Sequence, residues 1–190
     1  MKITSLPLVF IFLWMLGCSS TPQAKTSYLL RSEASLESAE MVTKPVAYLG
    51  VLELANYLDQ PGLVTETQPG QVHSARQHQW AEPLQTSLRA FLAMELSSAM
   101  KAPVLKQKHV SADELRVDVT IDQLHGTADG RAVLVAYWSL VADGERKAFR
   151  YVESQTLDGV GYAALVAAES ALLVDLADTI ALELKAEVTN

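Results

Sequence analysis

Leu115–Leu157 reads LRVDVTIDQLHGTADGRAVLVAYWSLVADGERKAFRYVESQTL, and this run decides the fold. Leu115, Val117, Val119 and Ile121 alternate with Arg116, Asp118, Thr120 and Asp122. That is the two-residue period of a strand with one face buried and the other wet. Asp129-Gly130 comes next, then Ala132–Val141 (AVLVAYWSLV), apolar on both faces as a central strand is. Asp143-Gly144 ends that run, and Lys147–Leu157 sets Phe149 and Tyr151 on one face. Asp-Gly between apolar runs signals a hairpin, because tight turns need a positive φ. The stretch therefore reads as a three-stranded antiparallel meander. Its alternation predicts that Asp118 and Asp122 face solvent.

On the C-terminal side a third pair, Asp158-Gly159, precedes Gly161–Glu187. There Leu165, Leu172, Leu173, Leu176, Ile180 and Leu184 form a helical stripe, with Asp175, Asp178 and Thr179 mostly opposite. On the N-terminal side, Trp80, Leu84, Leu88, Leu92 and Leu96 recur every four residues, and Phe91 and Ala99 widen the stripe. The pattern predicts a helix from Trp80 to Met100, with Glu82-Pro83 in its first turn and Lys101 and Pro103 at its end. Pro45–Leu54 and Gly62–Thr67 read as strands separated by the breaker Asn56–Pro61. Gln68-Pro69-Gly70 is a turn into a return arm, Gln71–Ala75. Ser27–Arg31 is a short strand, and Ser32–Lys44 a loop or weak helical turn. The expected fold is α+β: an antiparallel sheet including the meander, with two long amphipathic helices packed on it.

The N-terminus carries a different signal. After Met1-Lys2, the apolar run Leu6–Leu16 is too short to span a bilayer, which takes about 20 apolar residues. It has the length and flanks of a secretory signal. The run ends at Gly17-Cys18-Ser19-Ser20, which resembles the lipobox of bacterial lipoproteins. Met15 and Leu16 stand where that motif usually has leucine and a small residue. The resemblance implies that the Cys18 sulfur receives a diacylglyceryl group, and that Ser19, not being aspartate, directs the product to the outer membrane. The organisation expected is a signal peptide (1–17), a lipidated cysteine with its tether (18–26) and one domain (27–190).

Lys and Arg number 15 against 22 Asp and Glu, a formal charge of −7. Such a balance lacks the basic footprint of a nucleic-acid binder. It also suits broad adhesion to anionic lipid poorly, so attachment falls to the acyl chains. Cys18 is the one cysteine, which leaves none for a disulfide. His73, His78, His109 and His125 show no metal-ligand spacing, and no G-x-S-x-G, P-loop or dinucleotide fingerprint occurs. The carboxylate pairs read as solvated. Two basic clusters stand out, Lys101/Lys106/Lys108/His109 and Arg146/Lys147/Arg150, either of which suits lipid phosphates or an acidic partner, although a solvated charged turn is the commoner reading. Nothing points to an enzyme, and no cofactor is expected beyond the covalent lipid.

Several segments together resemble the PqiC/YmbA family of ABC-type transport auxiliary lipoproteins. They are Tyr28-Leu29-Leu30, Tyr57-Leu58-Asp59-Gln60-Pro61, Gln79-Trp80-Ala81-Glu82-Pro83-Leu84, and the run from Tyr162 to Ala168. Gln60 and Gln79 depart from it, since the family often has basic residues there. The resemblance implies a non-enzymatic accessory subunit on the periplasmic face of the outer membrane. Its partner would be a mammalian-cell-entry (MCE) domain protein of an intermembrane lipid transport system that supports envelope integrity. Homo-oligomerisation is left open. Tyr57, Asp59, Gln60, Pro61, Trp80 and Glu82 are the expected partner-binding residues, although a tryptophan heading an apolar stripe is more often core and Asp59-Gln60-Pro61 also reads as a plain turn. Two alternatives remain. One is a lipid carrier with a cavity lined by Leu88, Phe91, Leu92, Tyr137 and Trp138; the other is an envelope hydrolase.

Overall fold

The computed structural model describes residues 24–34, 44–107, 115–142 and 144–189. Cys18, the signal segment, most of the tether and of the Ser32–Lys44 loop, Lys108, His109 and Asp143 lie outside the described residues. Within them the chain forms β1 (Thr26–Tyr28), β2 (Ala47–Leu54), β3 (Gly62–Gln68), β4 (Gln71–Trp80), α1 (Leu84–Met100), β5 (Val104–Leu105), β6 (Leu115–Gly126), β7 (Arg131–Ala142), β8 (Glu145–Thr156) and α2 (Tyr162–Thr189).

The α+β class holds. β6, β7 and β8 form the antiparallel meander, in continuous register from Arg131↔Thr156 to Ala142↔Glu145 across its second hairpin. The first hairpin turns on Gly130, whose φ of 79° is open to glycine and strained for other residues. The sheet as a whole is mixed. β3 and β4 are antiparallel, whereas β2 runs parallel to both β5 and β6, β3 meets β6 in parallel at Thr65↔Gly126, and β1 runs parallel to β4. The long β6 thus takes β7 along one edge and shares the other between β2 and β3.

Both helices pack on one side of this sheet and against each other. All six residues of the α2 stripe are buried, as are Leu84, Leu88, Phe91, Leu92 and Leu96 of α1. They meet Ala132, Leu134, Ala136, Trp138 and Leu140 of β7, with the Trp138 indole stacked on Phe149 at 4.1 Å. A buried leucine or isoleucine contributes on the order of 2 kcal/mol of transfer free energy, so this layer accounts for most of the stability.

Several sequence expectations change. Trp80 ends β4 instead of heading α1, and the return arm reaches five residues beyond Ala75. Pro83 stands at the helix N-cap, so Glu82 precedes the first turn. β1 occupies Thr26–Tyr28, earlier than Ser27–Arg31, because its pairing with His78–Trp80 sets its bounds. A bulge between Ile121 and Gln123 lets Leu124 join the core, and one between Leu49 and Leu52 buries Leu49 together with Tyr48 and Leu52, so that β2 does not keep a simple two-residue period. Finally, Asp118 lies on the outward side as expected but is only 8% exposed. Its Oδ1 accepts the Val51 N–H at 2.8 Å, while Oδ2 accepts from Arg146 at 3.0 Å and Arg116 at 3.1 Å. Arg146 also donates to the Ser139 hydroxyl at 2.9 Å. One carboxylate thereby joins β2, β6, β7 and β8. Gly50 is required beside it, since a Cβ there would fall 2.3 Å from Asp118 Oδ1.

Candidate partner-docking site

Leaving β2, the chain makes a 3-10 turn at Asn56–Leu58, held by the Ala55 N–H on the Ile121 carbonyl (2.8 Å) and the Leu58 N–H on the Ala55 carbonyl (2.8 Å). Leu58 is buried and pins the turn to the core. Pro61 then accepts the Trp80 N–H through its carbonyl at 2.7 Å, and the Ala81 N–H reaches the Tyr28 carbonyl at 2.8 Å. Gly62, the residue after Pro61, lets β3 lie close on β4, because a Cβ there would lie 2.4 Å from the Ala75 carbonyl oxygen. Tyr28 donates to or accepts from His78 Nδ1 at 3.1 Å, and His78 stacks on Tyr162 at 4.3 Å. Segments scattered from Tyr28 to Tyr162 in sequence therefore meet at one end of the molecule.

Within that end the sequence-predicted residues separate into two kinds. Trp80 is 6% exposed and belongs to the core. Tyr57 is half-buried, sets its ring edge-on to His125 at 6.3 Å, and has a hydroxyl without a hydrogen-bond partner; burial pushes that hydroxyl up to about 12. Gln60 turns inward to donate to the Tyr57 carbonyl. Asp59, Pro61 and Glu82 are exposed. Glu82 accepts from Arg31 at 3.3 Å, a surface ion pair of small energetic value.

Asp59 opens onto a recess of about 370 Å³ that it shares with Glu53, Asn56, Gln85 and Asp122. Gln85 is fixed by donating to the Leu52 carbonyl at 2.6 Å. Three carboxylates in one concavity make a local negative field, suited to a lysine or arginine side chain from a partner. Sequence reading found Asp59 but not Glu53 or Asp122. The missing signal is tertiary: the parallel pairing of β2 with β6 sets Glu53 opposite Thr120 and brings the end of β2 and the middle of β6, at Asp122, to the Asp59 turn.

The cavity expected of a lipid carrier is not formed by the residues proposed for it. Leu88, Phe91, Leu92 and Trp138 are buried in the core, whereas Tyr137 is 45% exposed on the other face of the sheet. Among the described residues, no group of three or more His, Cys, Asp or Glu is placed to hold a metal ion, and no helix is long and apolar enough to cross a membrane.

The sequence model of the family described as ABC-type transport auxiliary lipoprotein component matches residues 28–181. The intermembrane transport lipoprotein PqiC of Escherichia coli (strain K12) is 27% identical over 150 residues, spanning 77% of this chain and 80% of the relative. PqiC of Shigella flexneri gives the same figures. Among solved structures, an uncharacterized protein superposes with a TM-score of 0.73 at 24% identity, covering 85% of this chain and 99% of that one. Protein XCC0632 from Xanthomonas campestris gives a TM-score of 0.54 at 14% identity, over 83% and 90% of the two chains. These two show a shared fold.

Proposed function

Because this chain belongs to the family of ABC-type transport auxiliary lipoproteins, we propose that it is the outer-membrane end of an intermembrane lipid transport system. It is an accessory subunit without chemistry of its own, facing the periplasm and supporting envelope integrity. Cys18 carries the acyl anchor. The tether from Cys18 to Thr26 spans at most about 28 Å at ~3.5 Å per residue, which keeps the domain beside the bilayer. The partner is an MCE-domain protein, which presents a basic side chain to the recess formed by Glu53, Asp59 and Asp122, next to the exposed Pro61 and Glu82.

The observation that carries this reading is the convergence of the family-like segments. Tyr28, Tyr57–Pro61 and Trp80 are joined by main-chain hydrogen bonds, and the acidic recess opens beside them. Core packing alone accounts for Trp80 and Leu58 but not for a cluster of exposed carboxylates at the same end. The test is co-purification from detergent-solubilised envelopes. Wild-type protein should retain the MCE partner, and an Asp59→Lys/Asp122→Lys variant with an unchanged circular dichroism spectrum should lose most of it. Full retention by that variant would move docking elsewhere. Mass spectrometry of the mature chain reads the anchor separately: an acylated N-terminal Cys18 is expected, and a free thiol there removes the anchoring claim.

A further inference from the structure

The second basic cluster in the sequence, Arg146/Lys147/Arg150, is divided by the sheet. Lys147 lies on the helix side, where its ammonium meets Glu187 of α2 at 2.6 Å. Arg146 and Arg150 lie on the outward side with Arg116 and Arg131, since they pair with Val141 and Tyr137 of the outward set. The paired outward positions of β6, β7 and β8 thus hold four arginines and one carboxylate, Asp118, which is buried and already shared by Arg116 and Arg146. Arg150 lies over the Tyr137 ring at 5.9 Å, and Arg131 is held by Ser154. Tyr137 and Val152 are 45% and 48% exposed between these arginines. On the opposite side of the molecule, α2 turns Asp175, Asp178 and Glu183 to solvent. Among the described residues of a chain of net charge −7, the arginines therefore gather on the β7–β8 part of the outward face, beside the exposed Glu53 and Asp122 at its β2 side and away from the acidic residues of α2.

We propose that the outward face of the meander lies against a bilayer, with Arg116, Arg131, Arg146 and Arg150 contacting anionic phospholipid headgroups and Tyr137 and Val152 entering the headgroup layer. The proposal rests on the lipid anchor inferred above, which holds the domain within reach of that surface. A rise of about 3.4 Å per residue spreads Arg146, Arg150 and the Arg131–Ser154 pair along β8 over roughly 27 Å. That spacing is a broad, shallow array, fitted to a plane of phosphates more than to the groove that binds a single peptide. The charge asymmetry orients the domain as well: anionic lipid attracts the arginine face and repels the helix layer. A guanidinium lying over an aromatic ring, beside an exposed valine on the same face, suits the boundary between water and lipid.

The test uses the full-length mature lipoprotein carrying Val152→Cys, labelled with an environment-sensitive fluorophore at what is then the one free thiol. It is mixed with neutral phosphatidylcholine vesicles or with the same lipid containing phosphatidylglycerol. The protein should float with both through its anchor, but the label should shift to the blue and resist aqueous quencher at least threefold better on the anionic vesicles alone. Arg131→Glu/Arg150→Glu, which leaves the Asp118 cluster intact, should abolish that shift without altering flotation. Raising the salt should weaken it. Identical emission on both vesicles overturns the proposal, as does retention by an acidic polypeptide such as polyglutamate with no vesicle effect. Failure to float with neutral vesicles instead removes the anchor, and an arginine-dependent shift on anionic vesicles would then still support the face.

Discussion

The helix-covered face of the sheet and its outward face are built from alternate residues of the same three strands, yet different forces hold them. Under the helices, Leu134, Ala136, Trp138 and Leu140 meet α2, and burial of apolar surface is the driving term. On the outward side, Asp118 gathers two guanidinium groups and a main-chain N–H. The first arrangement is tolerant, since many apolar residues of similar volume would serve. The second is specific: a buried carboxylate has partners fixed in direction and number, and its loss unties strands that those partners join. A sheet with one face covered can thus owe its stability to one side and the fixing of its strand register to the other.

The largest expected effect breaks the apolar side. Leu176→Ala should cost about 3 to 4 kcal/mol, measured as a fall in the urea midpoint at constant slope. Asp118→Ala should cost about 2 kcal/mol, less because Arg116 and Arg146 regain water, but it should also speed amide exchange at Val51. Unchanged exchange there would show that the carboxylate does not hold the β2 bulge.

Glu169 sharpens the contrast, for it is a carboxyl placed on the apolar side. It is 1% exposed, its Oε2 has no hydrogen-bond partner, and burial pushes its pKa up to about 8. The folded state therefore holds a proton that the unfolded chain releases near the ordinary value of 4.5. Stability should fall as pH rises from about 4.5 to 8, with a limiting slope of about 1.4 kcal/mol per pH unit. Glu169→Gln should flatten this slope, raising the melting temperature at pH 8 while changing little at pH 4.5. A parallel pH profile in the variant would refute the assignment.

The smallest effects lie at the margins. Lys101 ends α1 in the left-handed region at φ 52°, so Lys101→Gly should stabilise by about 1 kcal/mol in thermal unfolding. Lys147, whose pKa is raised by its hydrogen bond to Glu187, makes that pair at the exposed surface, and Lys147→Ala should leave the melting temperature unchanged.

The meander and both helical stripes were legible because their signals are local. Asp-Gly turns and apolar periods need no knowledge of what lies across the sheet, and every residue of the α2 stripe is buried where its period places it. The start of α1 was misread for an equally local reason: Trp80 falls in phase with Leu84 and Leu88, but its backbone is claimed by Tyr28 and Pro61, residues distant in the chain. Of the candidate residues, Asp59, Pro61 and Glu82 are exposed, while Tyr57 and Gln60 are half-buried and Trp80 belongs to the core, a division that depends on contacts distant in the chain. Cys18 lies outside the described residues, so its role stands on the sequence.

By itself, the sequence determined the α+β class, the order of most elements, the composition of the core and a signal that resembles a lipoprotein leader, because each depends on neighbours within a few residues. Only the tertiary structure decided the parallel pairing of β2 with β6, the burial of Asp118, the recess at Asp59 and the gathering of arginines on one face. Those features arise where segments far apart in sequence come within hydrogen-bonding distance. A carboxylate beside apolar residues in a strand looks the same in sequence whether water or two guanidinium groups will meet it.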